Sequence, residues 1–394
     1  MNTTKNTEFD VAVCGGGFAG LAASLAAARC GKRVVLFERE YMLGGLGTAG
    51  LVTYYLPLCD GYGHQVSFGI AEELLKLSIS LGHETDYPEN WLDGVGTRTE
   101  NDKRYMVRYN AQVFAILAEQ LLLKEGVNIV YGSHVADCRV EDGRISCISV
   151  LNKSGMTEYY VKSVVDATGD CDIAHFAGAP TKVTEAGNVL AAWYYYATDK
   201  GYDLNMLGFH DIPNKMPEKD AKMPPEARGR RFVGLEADEL SEMMFLTHKS
   251  ILTDWQRRRV DEPSIWPVTI ASIPQVRMTR KIVGEYTLTE AEEHTFFEDS
   301  VGMIANWRRR GPVFEVPFRT LFSSKVKNLI VAGRCTSVNE VLWDAMRVIP
   351  CCAVTGEAAG TAAAMSDDFT AIDINALQAK LREGGVVIHE KDLK

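Results

Sequence analysis

One stretch near the N-terminus limits what this chain can fold into. Phe9 to Cys14 (FDVAVC) is a short apolar run and reads as a buried strand. It runs directly into Gly15-Gly16-Gly17-Phe18-Ala19-Gly20, which fits G-x-G-x-x-G. An alanine-rich helix is expected over Leu21 to Cys30, with Gly31 just past its end. Arg33 to Phe37 (RVVLF) reads as a second buried strand and ends in Glu38, 18 positions after the third glycine. This is a complete βαβ unit of the dinucleotide-binding kind.

Each part has a physical job. Gly15 permits the tight turn, Gly17 lets backbone approach a pyrophosphate, and Gly20 lets helix and strand pack closely. Free N–H groups at the helix start, around Phe18 and Ala19, favour phosphate. Glu38, followed by Arg39, can accept hydrogen bonds from a ribose diol. A glycine-rich turn alone can be only a turn; the full βαβ context favours dinucleotide binding. It does not choose between NAD and FAD.

Three later segments bear on that choice. Gly44-Gly45-Leu46-Gly47-Thr48-Ala49-Gly50 is either a flexible loop or backbone wrapped against a long cofactor, and its place after the second strand favours wrapping. Residues 135–141, 144–151 and 156–161 alternate in strand fashion between two turns, as a three-stranded meander. They lead into Val164-Val165-Asp166-Ala167-Thr168-Gly169-Asp170, a strand ending in a glycine turn. Near the C-terminus, Asn328 to Ala332 reads as a strand before Gly333-Arg334. Pro350 then opens a small-residue helix, Cys351 to Met365, whose Gly356-x-x-x-Gly360 requires close packing.

Composition excludes several classes. Charged residues number 42 basic and 52 acidic, a net −10, which argues against nucleic acid. No apolar run approaches the ~20 residues of a membrane span, and Met1 to Asp10 lacks a secretory apolar core, so a cytoplasmic location is expected. The nine cysteines form no Cys-x-x-Cys pair and no zinc spacing, and Cys351-Cys352 reads as two small residues at a helix start. No metal is expected.

The order of these motifs resembles the FAD-dependent oxidoreductases with a glutathione-reductase-type FAD domain, in particular the broad bacterial group of that name. The carriers are GGGFAG at 15–20, GGLGTAGLV at 44–52, VDATGD at 165–170, VRMTRKIVGEYTLT at 276–289, VPFRTLF at 316–322, NLIVAGRCTS at 328–337 and MRVIPCCAVTGEAAGTAAA at 346–364. The resemblance implies FAD. It implies that Gly15, Gly17 and Gly20 take the pyrophosphate, that Glu38 takes the adenosine ribose, and that the Val135 backbone holds adenine. It implies that Gly169 and Asp170 close over the adenosine half, and that Gly333 and Arg334 reach the pyrophosphate and ribityl chain. The helix after Pro350, with Cys351 in its first turn, would point at the flavin pyrimidine ring. Arg347 there would favour negative charge on the flavin; the alternative is a surface ion pair. Trp343-Asp344 departs from the small residues usual in the group.

The expected architecture is α/β: a Rossmann-like FAD-binding domain of 1–55, 105–180 and 325–394, with parallel sheet and meander. A discontinuous α+β substrate or cap domain would hold 56–104 and 181–324. The polar stretch 213–230 reads as an exposed loop, a mobile lid. Arg277 and Arg280 are candidates to bind a substrate carboxylate, with structural ion pairs as the alternative. His64 is a candidate general base, although a lone histidine is more often structural. The expected chemistry is hydride transfer between a small organic substrate and flavin N5, with a separate electron acceptor or donor. A monooxygenase or halogenase using NAD(P)H and O2 is the alternative within enzymes, and a non-catalytic dinucleotide-binding protein the alternative outside them. A single G-x-G-x-x-G unit leaves no dedicated NADPH domain, and the absence of a Cys-x4-Cys dithiol argues against a disulfide reductase.

Overall fold

The computed structural model describes residues 7–93, 100–184, 187–208 and 223–393. They divide into two units. The first comprises residues 1–48, 53–182 and 281–394; the second comprises 49–52 and 183–280.

The first unit starts with the expected βαβ: β1 (Glu8–Cys14), α1 (Phe18–Arg29) and β2 (Val34–Phe37). Helices α2 (Ile70–Ser80) and α3 (Ala111–Lys124) follow. Then come β3 (Asn128–Val130), β4 (His134–Glu141), β5 (Arg144–Asn152) and β6 (Gly155–Asp166). The sheet order is β3-β2-β1-β6-β5-β4, with a late strand, Leu329–Val331, also on β6. β3, β2, β1 and β6 run parallel, while β6, β5 and β4 form the antiparallel meander. β6 belongs to both. Its residues 155–160 pair with β5, and its residues 164–166 pair in parallel with Leu329–Val331. The meander and the following strand are therefore one continuous element rather than two.

The pattern of burial explains this. β2 is buried at all four positions, as befits a strand covered on both faces. β6 alternates through the meander and is then buried at its last four residues, where it enters the parallel core. Phe9, Val35, Phe37, Ile148, Tyr159 and Val331 share one core cluster.

The second unit centres on a three-stranded antiparallel sheet. β7 (Ala192–Thr198) lies between β8 (Gly201–Leu207) and β9 (Trp266–Ile270). The aromatic run at 193–196 thus forms the central strand, with Trp193 and Tyr194 fully buried. Helix α4 (Ala237–Asp261) covers it, and Met243 and Ile251 join a core with Tyr194, Leu207 and Phe232. Of the expected lid, 213–222 lies outside the described residues. The remainder is not a loose loop: Met223 and Ala227 are buried in that core.

Back in the first unit come hairpin β10 (Ser300–Ala305) and β11 (Val313–Pro317), strand β12 (Leu329–Val331), and helices α5 (Glu340–Met346), α6 (Ile349–Met365) and α7 (Ile374–Glu383). Residues 56–104 and 281–324, expected in a cap, cluster with the first unit. The reason is packing: α2 and β10 both lie on α6. The sequence reading follows the motifs and has no view of that burial.

α1 and α6 pack at backbone distance. A side-chain carbon at Gly356 would fall 2.2 Å from Ala19 O, and one at Gly360 would fall 2.1 Å from Ala23 O. α7 caps itself with Asp373 and buries Leu377 and Leu381 as its apolar spacing predicts.

Candidate cofactor-binding site

The site is built where β1 ends. Gly15 has φ +102°, and a side chain there would strike Ala167 O at 2.5 Å. At Gly20 it would strike Gly15 O at 1.8 Å, because the first turn of α1 folds back on the glycine turn. At Gly17 it would meet nothing within 4 Å. The turn is closed on the protein side and open in front of Gly17. Gly17 is also the N-cap of α1 and supplies no side chain to its free N–H groups.

The second glycine cluster meets the first. Gly44 N donates to Gly16 O at 2.8 Å, and Gly45 comes close to the Gly17 backbone. Gly45, Leu46 and Gly47 form a short 3₁₀ turn, tied down by Thr48 Oγ1 on Leu43 O and by Tyr109 OH on Gly47 O. Phe18 is buried under this turn, stacked on Phe114 at 4.7 Å. Phe18 therefore builds the core beneath the turn, and Ala19 faces α6.

Glu38 is 6% exposed at the end of β2. Its Oε2 accepts from Gly16 N at 2.7 Å and its Oε1 from Glu40 N at 2.8 Å. Burial pushes its carboxyl above the usual range. Arg39 is half-exposed beside Glu40. Val135 lies at the start of β4, just after Ser133, whose N–H bonds Glu38 O at 3.0 Å. These positions share one end of the sheet.

The late segments arrive at the same end. Arg334 Nη2 meets Asp170 Oδ1 at 2.7 Å, with both side chains largely buried, and lies against Gly169. Gly333 N donates to Thr355 Oγ1 at 2.8 Å, and Gly333 touches Ala19. α6 starts at Ile349-Pro350-Cys351, and among the described residues no side chain caps it. Cys351 is buried, and all nine cysteines are free. Arg347 is not a surface residue. Its side chain is 10% exposed and pairs with buried Asp344, which also receives Arg308.

Two residues that the sequence reading passes over support this frame. Buried Asp166 accepts from Thr168 Oγ1 at 2.7 Å and from Ala174 N at 3.0 Å, which shapes the turn holding Gly169. Its position at the end of a strand was the available signal. Lys281 is buried, donates to Val338 O and lies 4.6 Å from the Trp343 ring. Burial lowers its pKa to about 8. Nothing in its local sequence marks it as buried.

A family model described as FAD dependent oxidoreductase matches residues 10–247 and 226–381. This chain belongs to that family. As an FAD-dependent oxidoreductase it has FAD as its cofactor, and the open turn, two backbone loops and uncapped α6 terminus suit a dinucleotide. Digeranylgeranylglycerophospholipid reductase 1 of Methanopyrus kandleri is 24% identical over 236 residues, 58% of this chain and 57% of that protein. A thioredoxin reductase of Ureaplasma parvum is 30% identical over 76 residues, 19% of this chain and 25% of that one. The matched regions thus span little more than half of the first relative and a quarter of the second. Among solved structures, a geranylgeranyl bacteriochlorophyll reductase-like protein from Thermoplasma acidophilum is 13% identical, with 97% of this chain and 83% of that chain covered, at a TM-score of 0.43.

The candidate catalytic residues of this oxidoreductase fall in both units. His64 lies on a loop of the first unit; its side chain is 65% exposed, and its Nδ1 meets Asp60 Oδ2 at 2.8 Å. Arg277 and Arg280 belong to the second unit and are buried. The Arg277 guanidinium lies 5.2 Å from the Trp193 ring centre. Among the described residues no group of three or more potential ligands could hold a metal ion. No single helix is long and apolar enough to cross a membrane.

Proposed function

We propose that this enzyme transfers a hydride between a small organic substrate and flavin N5, with a separate molecule as electron donor or acceptor. The observation that carries the reading is the open space in front of Gly17, while Gly15 and Gly20 are closed by backbone and Gly16, Gly44 and Gly47 by side chains. FAD, when bound, supplies the two-electron centre.

The protein's own groups do the rest. Gly15, Gly17, Gly20 and the start of α1 would hold the pyrophosphate, with Gly45 to Thr48 as the second wall. The Glu38 carboxylate keeps lone pairs free for a ribose diol beyond its two backbone bonds. Val135, Gly169 and Asp170 would flank the adenosine half, and Gly333 and Arg334 the middle. The N-terminus of α6 and Arg347 would favour negative charge on the ring.

Arg277 and Arg280 are the proposed anchors for a substrate carboxylate, and the Trp193 ring, 5.2 Å from the Arg277 guanidinium, supports that cation. Asp60 orients His64, the proposed proton acceptor. A cytoplasmic location goes with this reading, because nine free thiols suit a reducing compartment.

The test is anaerobic bleaching of the purified holoenzyme with alcohols, amines, enoates, isoprenoid alkenes and NAD(P)H. A compound that bleaches the flavin names the donor half-reaction. A protein purified without flavin absorbance, and unable to take up FAD, overturns the proposal.

A further inference from the structure

The turn between β10 and β11 reads Trp307-Arg308-Arg309-Arg310-Gly311. Three adjacent cations repel, so the fold must place each one. Arg308 pairs with Asp344 and lies over Trp307. Arg309 pairs with Glu293 at 2.8 Å. Arg310 is exposed and has no carboxylate partner among the described residues.

Arg310 lies instead beside another arginine. A side-chain carbon at Gly61 would fall 2.7 Å from Arg310 Cγ and 2.6 Å from Arg104 Nη1. Arg104 donates to the Asp60 and Trp307 carbonyls, and among the described residues its guanidinium has no carboxylate bonded to it. Burial and the charge of Arg310 hold it below the usual arginine range. Asp60 is the acid whose field reaches it, and that carboxylate is committed to its own loop. Oδ1 accepts from Tyr62 N at 2.7 Å and His64 N at 3.2 Å, and Oδ2 meets His64 Nδ1.

Two like charges thus flank one glycine turn, in a chain with more acidic than basic residues. An anion shared between them relieves the repulsion, and two guanidinium forks match an oxyanion. We propose that Arg104 and Arg310 bind the oxyanion of a small molecule, a phosphate or a carboxylate. The site borders the loop of Asp60 and His64, and its test reads binding alone, without turnover of the flavin.

Isothermal titration of the full-length protein tests this, with sodium phosphate and sodium succinate as separate probes at constant ionic strength. Saturable binding of at least one is expected. Phosphate alone assigns the site to phosphorylated ligands, and succinate assigns it to carboxylates. Arg310→Gln should weaken binding about tenfold or more, and Arg309→Gln should leave it unchanged. Without probe, Arg310→Gln should melt no lower than wild type, because it removes repulsion. No saturable heat with either probe overturns the proposal, as does equal binding by Arg310→Gln.

Discussion

Gly17 and Gly20 lie about one helical turn apart and answer to opposite constraints. The methyl of Gly20→Ala would collide with Gly15 O, so this change should cost about 2–4 kcal/mol, read as a lower urea midpoint. Gly17→Glu enters open space, so circular dichroism should match wild type. Its carboxylate would fill the pyrophosphate path, so the purified protein should be colourless; full flavin absorbance in that variant refutes the cradle. The glycine pattern and the division of labour within it were legible in the sequence, because the spacing assigns Gly17 to the open side and Gly15 and Gly20 to the packed side. Glu38 was legible because the end of a strand fixes its place. Lys281 was not, because a lysine reads as surface by its own charge, and only tertiary packing against Trp343 buries it.

Among the elements, α6 joins the glycine turn to the rest of its unit. Gly356→Val would drive its side chain into Ala19, and a loss of about 2–4 kcal/mol in denaturant unfolding is expected. One turn of α6 also carries Glu357, whose Oε2 accepts from Ile70 N at 2.8 Å and so caps α2. Burial pushes this carboxyl from 4.5 up to about 8. The native state holds the proton more tightly than the unfolded chain, so stability should fall as pH rises through that interval. Glu357→Gln keeps an acceptor and should flatten the dependence, melting above wild type at the alkaline end. Melts that show the same pH slope for both proteins would refute the assignment. The need of α6 for a close neighbour was legible from Gly356-x-x-x-Gly360, but its partner was not, since helix spacing carries no address. β6 was read as two strands because its alternation stops where it enters the parallel core.

For the molecule as a whole, the expectation of free thiols makes a simple check. A chromogenic thiol reagent should find nine reactive groups after denaturation, with or without prior reduction; fewer without reduction would reveal a disulfide. In the native protein Cys14, Cys59, Cys147, Cys171, Cys335 and Cys351 are buried and should react slowly. The βαβ unit, meander and late strand were legible because each has local periodicity. The division into units was not, because 56–104 and 281–324 carry no local signal of which core they join and take their place from contacts with distant helices.

The late arrival of α6 and β12 has a consequence for biosynthesis. α1 leaves the ribosome with nearly all of its alanine- and leucine-rich surface destined for burial, and its cover follows only with Leu329–Val331 and Ile349–Met365. Until then the nascent first unit is an unfinished sheet whose α1 lacks its main cover, while the residues of the second unit, 49–52 and 183–280, are already synthesised. A message truncated before the codon for Ile349 would therefore yield a sticky intermediate for chaperones and proteases, not a weaker enzyme.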